Sequence, residues 1–239
     1  MRIFVAGAGG VIGRRLCPLL VEEGWTVVGT TRSPSRAETI RAMGVEPVVI
    51  DVFDRIGLLR VVKEARPDVV IHQLTDLPPA LDPAQMAEAR VRNARLRDVG
   101  TRNLVEAAVA AGAKRFIAQS IAFAYAPGPQ PYDENSPLDV QRQDDAGLSA
   151  RGVARLERHV LEAPLVGIVL RYGKLYGPGT GFDDPPPGGP LHVDAAAEAA
   201  RLAVTRGERG TYNIVEWDGT VSSRKAAREL GWRQAEDKE

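Results

Sequence analysis

The sequence predicts an α/β protein built on a doubly wound parallel sheet, and three observations predict it. Strand-like and helix-like segments alternate from the first residues onward. The strand-like segments are nearly continuous apolar runs, as strands covered on both faces should be. A glycine-rich turn, Gly7-Ala8-Gly9-Gly10-Val11-Ile12-Gly13, joins the first such run to the first helical pattern.

Taken in order, Ile3-Phe4-Val5 marks a strand over 2–6. Arg14-Arg15-Leu16, with Leu19, Leu20 and Val21, marks a helix over 13–23 that Gly24 stops. A second strand over 25–29 contains Val27-Val28-Gly29, and a helix over 35–43 ends at Gly44. A strand over 45–50 leads to a helix over 55–65 that ends before Pro67, and Asp68-Val69-Val70-Ile71-His72 is the fourth strand. One long helical pattern over 84–111 ends at Gly112, ahead of a strand over 115–119. A helix over 148–163 ends before Pro164, and a sixth strand covers 165–171. Gly179 to Pro190 is a Pro/Gly-rich loop, either a lid or a solvated connector. A chain of 239 residues can bury one large core, so a single domain over 1–239 is expected.

Composition narrows the function classes. With 44% hydrophobic and 26% charged residues, the chain reads as an ordinary soluble globule. Formal net charge is zero, so no global field recruits nucleic acid or an acidic membrane surface. Cys17 is the only cysteine and lies among leucines, a place for a buried small residue. His72, His159 and His192 lack metal-ligand spacing, so no metal is expected. No apolar run nears membrane-spanning length and no leader pattern is present, so the expected location is cytoplasmic.

The glycine turn carries the first chemistry. Glycines let a backbone turn tightly and approach a pyrophosphate, and the following helix N-terminus offers unpaired N–H groups and a dipole that favours an anion. Gly7, Gly10 and Gly13 fit G-x-x-G-x-x-G, because Ile12 breaks the G-x-G-x-x-G alternative. Nucleotide binding is the expectation, against a turn that binds nothing.

Several blocks resemble the extended short-chain dehydrogenase/reductase family, the NAD-dependent epimerases and dehydratases with an NAD(P)-binding Rossmann fold. They are the glycine turn; Pro67 to His72; Gly100-Thr101-Arg102-Asn103-Leu104-Val105-Glu106-Ala107-Ala108; and Ala111 to Ile117. Leu170-Arg171-Tyr172-Gly173-Lys174-Leu175-Tyr176-Gly177-Pro178-Gly179, His192-Val193-Asp194 and Tyr212-Asn213-Ile214 complete the set. The resemblance implies a nicotinamide dinucleotide held by Gly7, Gly9, Gly10, Val11, Ile12 and Gly13, with Thr31, Leu74 and Tyr176 also around it.

Cofactor choice is read at the end of the second strand, where an acid favours NAD and a cation favours NADP. Thr30-Thr31-Arg32-Ser33, with Arg36 beyond and no acid nearby, points to NADP, with NAD as the other possibility. Both arginines are suited to pair a 2′-phosphate; the alternative is a solvated surface role. Asp51-Val52 resembles the family's adenine-contacting pair, and Asp51 could equally cap the next helix.

The catalytic dyad is missing. The family carries Tyr-x-x-x-Lys on the helix after the fifth strand, and the tyrosine exchanges a proton with the substrate hydroxyl. Aligned on Glu157, those positions hold Ser149 and Val153. The family's serine motif is reduced to Ser120-Ile121-Ala122-Phe123-Ala124-Tyr125, with Ser120 one place early. The helix asparagine expected three residues before Gly100 is Arg97, while Asn93 lies one turn further back. A relocated pair, Tyr125 with Lys174, and Ser120 on the substrate oxygen, would restore proton transfer; the alternative is that these residues are unrelated. His72 reads as a satisfied core histidine.

Residues 174–239 leave a reduced substrate-binding region, which favours a small polar substrate over a bulky nucleotide sugar. The expectation is an atypical NAD(P)-dependent oxidoreductase or epimerase transferring hydride to or from a small alcohol or carbonyl compound. The alternative is a non-catalytic NADP(H)-binding redox sensor or regulatory protein. Val153, Leu156, Val160 and Leu161 form an apolar stripe on the helix over 148–163, which suggests a homodimer unless the stripe only faces the sheet.

Overall fold

The computed structural model describes residues 1–78 and 81–234. Its strands are β1 (Arg2–Ala6), β2 (Thr26–Thr31), β3 (Glu46–Val49), β4 (Val69–His72), β5 (Arg115–Ile121), β6 (Val166–Tyr172), β7 (Lys174–Tyr176), β8 (Pro190–His192) and β9 (Gly210–Ile214). Its helices are α1 (Gly13–Glu22), α2 (Ala37–Arg41), α3 (Arg55–Ala65), α4 (Met86–Arg95), α5 (Thr101–Ala110), α6 (Asp145–Leu161), α7 (Val193–Ala203) and α8 (Arg224–Glu229). Seven strands form one parallel sheet in the order β3-β2-β1-β4-β5-β6-β9, and β7 and β8 pair separately. This is the doubly wound sheet that the sequence predicts.

Alternation along each strand explains the continuous apolar runs. Ile3 and Val5 face one side of the sheet, where α1 and α7 pack with Leu16, Leu20, Ala196 and Ala200. Phe4 and Ala6 face the other, together with Phe116 of β5, against Leu58, Leu104 and Leu156 of the opposite helical layer. Both sides are covered by helices, so the strands are apolar along most of their length, and the buried polar side chains they do carry, such as His72, Ser120, Arg171 and Asn213, are hydrogen-bonded within the protein. The helix stops also behave as the composition requires: Gly24, Gly44 and Gly112 take left-handed φ values of +75°, +75° and +77°. Before Pro67 it is Arg66 that takes this conformation, at φ +47°.

The long pattern over 84–111 divides into α4, a π-helical turn over Leu96–Gly100, and α5. Gly100 permits the wide turn to pack, since a Cβ there would lie 2.9 Å from Leu96 Cδ1 and 3.1 Å from Val52 Cγ1. The sequence reading assigns no element to 193–203, because V-D-A-A-A-E-A-A-R-L-A gives little apolar contrast. In the structure its alanines, small enough for close approach, are buried against the sheet and α1. β9 brings part of the C-terminal region into the main sheet beside β6. Among the described residues no helix is long and apolar enough to cross a membrane.

The stripe on α6 is corrected by its surroundings. Val153, Leu156 and Val160 are buried in the chain's own core, so they face the sheet and lend no support to a dimer. Cys17 is buried, and desolvation pushes its thiol up to about 12, which leaves it protonated at neutral pH.

A buried ion pair crosses the helix–sheet interface. Glu157 of α6 and Arg171 of β6 form a bidentate pair, Nε to Oε1 at 2.8 Å and Nη2 to Oε2 at 2.7 Å, with side chains 8% and 6% exposed. Ser120 donates to Glu157 Oε1 at 2.9 Å, and Arg171 Nη1 donates to the Tyr125 hydroxyl at 3.0 Å. Burial alone would lower the Arg171 pKa, but the hydrogen bonds and charge of Glu157 outweigh it and hold the guanidinium charged. Removing one partner of a buried pair strands the other. Glu157→Ala should therefore lower unfolding free energy by about 3–5 kcal/mol, measured by urea titration, and a loss below about 1 kcal/mol would mean the pair behaves as an exposed one.

Candidate functional site

The order of strands reverses between β1 and β4, and a doubly wound sheet opens a crevice at such a point, beyond the carboxyl ends of its strands. A cleft lies there, lined by Gly7, Gly9 and Gly10 after β1, by Thr30, Thr31, Arg32 and Arg36 after β2, by Ile50 to Phe53 after β3, and by Gln73 to Asp76 after β4. Leu58 and Leu96 close its wall.

Close backbone packing shapes the floor. Gly7 has φ +94°, and a Cβ on it would meet the Gln73 carbonyl oxygen at 2.8 Å. Gly10 donates its N–H to the Gly7 carbonyl at 3.0 Å, and Gly7 donates to Thr30 Oγ1 at 3.2 Å. A Cβ on Gly13 would fall 2.2 Å from the Gly7 carbonyl oxygen, so only glycine lets α1 start this near the turn. Around Gly9 there is open space. The loop therefore offers a cradle without side chains at a helix N-terminus, which suits a pyrophosphate.

Of the residues expected around a dinucleotide, Gly7, Gly9, Gly10, Thr31, Arg32, Arg36, Asp51, Val52 and Leu74 line the cleft. Val11, Ile12, Gly13 and Tyr176 lie outside its lining: Ile12 is buried in the core, and Tyr176 donates its hydroxyl to Glu216 Oε2 at 2.8 Å. Asp51 Oδ1 accepts from the Phe53 N–H at 2.9 Å, whereas the cap of α3 is Asp54, which accepts from Gly57. Arg32 Nη1 stands 3.8 Å from Asp76 Oδ2, which Arg92 also approaches at 3.6 Å through the other carboxylate oxygen. Sequence reasoning missed Gln73, Thr75 and Asp76, although their place directly after a strand end was a usable signal. It missed Leu96 because only the fold of the π turn brings that residue to the cleft.

The relocated pair is not assembled. The Lys174 ammonium donates to the Pro187 carbonyl at 2.6 Å, inside the Pro/Gly loop. The Tyr125 hydroxyl donates to Asn213 Oδ1 at 2.5 Å and accepts from Arg171. Burial pushes the Tyr125 pKa up in spite of Arg171, so it is a poorer acid than a free tyrosine. Ser120 donates its hydroxyl to Glu157. At the dyad positions, Ser149 is half-buried and Val153 packs in an apolar cluster with Ala124, Ala150 and Ile121.

Known proteins are similar to this chain at several levels. The profile of the NAD dependent epimerase/dehydratase family matches residues 3–220. The 3-diazoavenalumate denitrifying reductase of a Streptomyces species is 44% identical, over 90% of this chain and 76% of that protein. The 4-hydroxy-2-methyl-3-oxo-4-farnesyl-3,4-dihydroquinoline-1-oxide ketoreductase of Stigmatella aurantiaca is 32% identical, over 68% of this chain and 46% of that protein. Among solved structures, UDP-glucose 4-epimerase of Thermotoga maritima with UDP-glucose superposes with a TM-score of 0.78 at 20% identity, covering 98% of this chain and 94% of the other. A Bordetella bronchiseptica enzyme in complex with NAD+ gives 0.75 at 17% identity, covering 98% and 93%.

His72 ends β4 beside the cleft, fully buried. Its Nδ1 accepts from the Leu74 N–H at 3.2 Å, so its proton sits on Nε2, which donates to Thr101 Oγ1 at 3.0 Å. Desolvation, aided by the Arg97 charge and opposed by the backbone bond, lowers its pKa to about 4. The folded state therefore prefers neutral His72, a preference fully present above the ordinary value near 6.5 and lost as pH falls toward 4. In ring-nitrogen NMR, His72 should keep neutral Nε2–H signals down to about pH 5. Titration of that ring near pH 6.5 would contradict the buried assignment.

Proposed function

The chain belongs to the NAD-dependent epimerase/dehydratase family, and from that premise we propose that it is a reductase whose substrate takes up hydride without needing a proton from the enzyme. The observation that carries this reading is the apolar Val153 and the half-buried Ser149 at the positions of the family's lysine and tyrosine. Reduction of a carbonyl creates an alkoxide, and an enzyme without an acid at that point forgoes about 10²–10⁴-fold in rate. His72 is held neutral and hydrogen-bonded, Tyr125 is occupied by Asn213 and Arg171, and Lys174 by Pro187. None is placed to act as that acid.

A diazonium group removes the requirement. A nicotinamide held in the cleft would be the hydride source: a C–H bond would form at the diazonium-bearing carbon as the C–N bond broke and its electron pair left with N₂. The substrate is reduced, the nicotinamide oxidised, and no proton changes hands. The Streptomyces relative, by its name a denitrifying reductase of a diazo carboxylate, supports this class. An aromatic diazonium is the fitting substrate, since alkyl diazonium ions lose nitrogen unaided. The residues that would hold the dinucleotide are the Gly7, Gly9 and Gly10 turn for the pyrophosphate, Asp51 and Val52 on the adenine side, and Arg32 and Arg36 at the ribose. Leu58, Leu74 and Leu96 supply apolar lining to the same cleft.

Arg32 and Arg36 with no acid at the end of β2 support NADP as the preferred form. A charge-assisted hydrogen bond contributes about 1.5–3 kcal/mol, so NADP should bind about ten- to a hundredfold more tightly than NAD. Arg32→Ala should remove most of that difference in a calorimetric titration; equal affinities in the unmodified protein would sink the selectivity reading.

The reaction itself is tested with NADPH deuterated at C4 and an aromatic diazonium carboxylate. Mass spectrometry of the product should show loss of N₂ and one deuterium on the ring carbon, with none incorporated from D₂O when the cofactor is unlabelled. Turnover of simple ketones or aldehydes in preference to the diazonium compound would overturn the proposal. Tight NADP binding with no turnover of either class would favour the redox-sensor reading.

A further inference from the structure

Arg97 occupies the π-helical turn, and such turns re-aim side chains in a way a regular helix does not. Its guanidinium is directed toward α6: Nη1 reaches the Ser149 carbonyl at 3.5 Å, and its Cδ lies 3.5 Å from where a Gly152 Cβ would sit. The closer approach at Gly152 is to Ala94, whose Cα would lie 3.2 Å from a Cβ there, so this glycine lets α6 pack tightly on α4, which runs into the π turn that carries Arg97. The charge is felt by His72 at the end of β4, while the preceding residue, Leu96, lines the cleft. Arg97 therefore stands between the end of β4 and the stretch of α6 where the dyad is missing.

The charges around it are already committed. Both oxygens of Glu157 are taken by Arg171, and one also by Ser120, so Glu157 acts on Arg97 only at a distance. Asp98 is engaged by Arg155 and His159, and Asp76 faces Arg32 and Arg92. A guanidinium has five N–H donors. Among the described residues, the long contact to Ser149 is the one protein hydrogen bond that Arg97 makes, and none of its nitrogens is a sealed, unpartnered atom. Burial lowers its pKa to about 10, which still leaves it charged at neutral pH. A partly desolvated cation with open donors is completed by an anion.

The cofactor's phosphates are not that anion. The glycine turn lies after β1, and Arg32 and Arg36 lie after β2, on the other side of the switch point from α6. We infer that Arg97 anchors the substrate, taking a planar carboxylate on its fork of donors beside Ser149. The single charge and fork geometry match a monoanionic carboxylate. This assignment rests on reading the cleft as a hydride-transfer site, and it names the class of substrate that the site selects.

The test uses binding, so it does not depend on turnover. Cinnamate and cinnamamide, which differ in charge and little in shape, are titrated into the full chain saturated with NADP+. Cinnamate should bind about ten- to a hundredfold more tightly. Arg97→Gln should bring the two within about twofold while leaving NADP+ affinity unchanged, and Arg97→Lys should retain part of the preference. Equal affinities in the unmodified protein, no binding of either probe, or a preference that survives Arg97→Gln would each overturn the anchor. The unmodified protein decides the matter even if a variant fails to fold. If cinnamate binds through Arg97 but no diazonium compound is reduced, the anchor stands and the proposed reaction falls. If diazonium compounds are reduced with a KM insensitive to Arg97→Gln, the reaction stands and the anchor falls.

Discussion

The buried pair between Glu157 and Arg171 holds together the side of the molecule built from β5, β6, β9 and α6. It joins α6 to β6, receives Ser120 from β5, and through Tyr125 reaches Asn213 on β9. In a low-dielectric interface such a network is stable only when every member is satisfied. Satisfying it consumes the hydroxyls that sequence reasoning had assigned to catalysis. Ser120 and Tyr125 are thereby tied into the network, and the same pair leaves Arg97 without a carboxylate of its own. One interaction thus fixes the helix, engages two of the candidate site hydroxyls and leaves a cation nearby with few protein partners.

At the other end of the cleft the governing constraint is steric. Gly7 lies against the backbone after β4, and Gly13 against the carbonyl of Gly7. The glycine spacing serves this internal packing as much as any ligand, and the seat for a pyrophosphate follows from it. The reversal of strand order then brings the ends of β1, β2 and β4 to the same crevice, so that residues far apart in the chain, Gly9 and Asp76 for example, share one wall.

The proposed chemistry rests on two buried positions, one at the carboxyl end of β4 and one on α6. Val153 completes an apolar cluster where a lysine would need polar partners, and burying an ammonium there would be costly. His72 is held as a neutral donor to Thr101. These two positions are the basis for the proposal that the substrate is an electrophile that accepts hydride and discards a neutral leaving group. A relative named as a ketoreductase is also similar to this chain, at 32% identity over 68% of this chain's length.

The sheet was legible in the sequence because its cause is local and repeated. Strands buried on both faces must be apolar throughout, and helices between them end at Gly24, Gly44 and Gly112 for backbone reasons visible in one residue. The glycine turn and the arginines after β2 were legible for the same reason, since their chemistry lies in short contiguous segments. The alanine-rich α7 escaped because small residues carry little amphipathic contrast, even where packing favours them. The substrate end escaped for a different reason. Whether Tyr125 meets Lys174 or Arg171, and whether Ser120 faces a substrate or Glu157, depends on which side chains converge from β5, β6, β9 and α6. Those residues are separated by up to 88 positions in the chain. Hydrogen bonding between such distant groups is a property of the assembled core, and tertiary structure alone decided it.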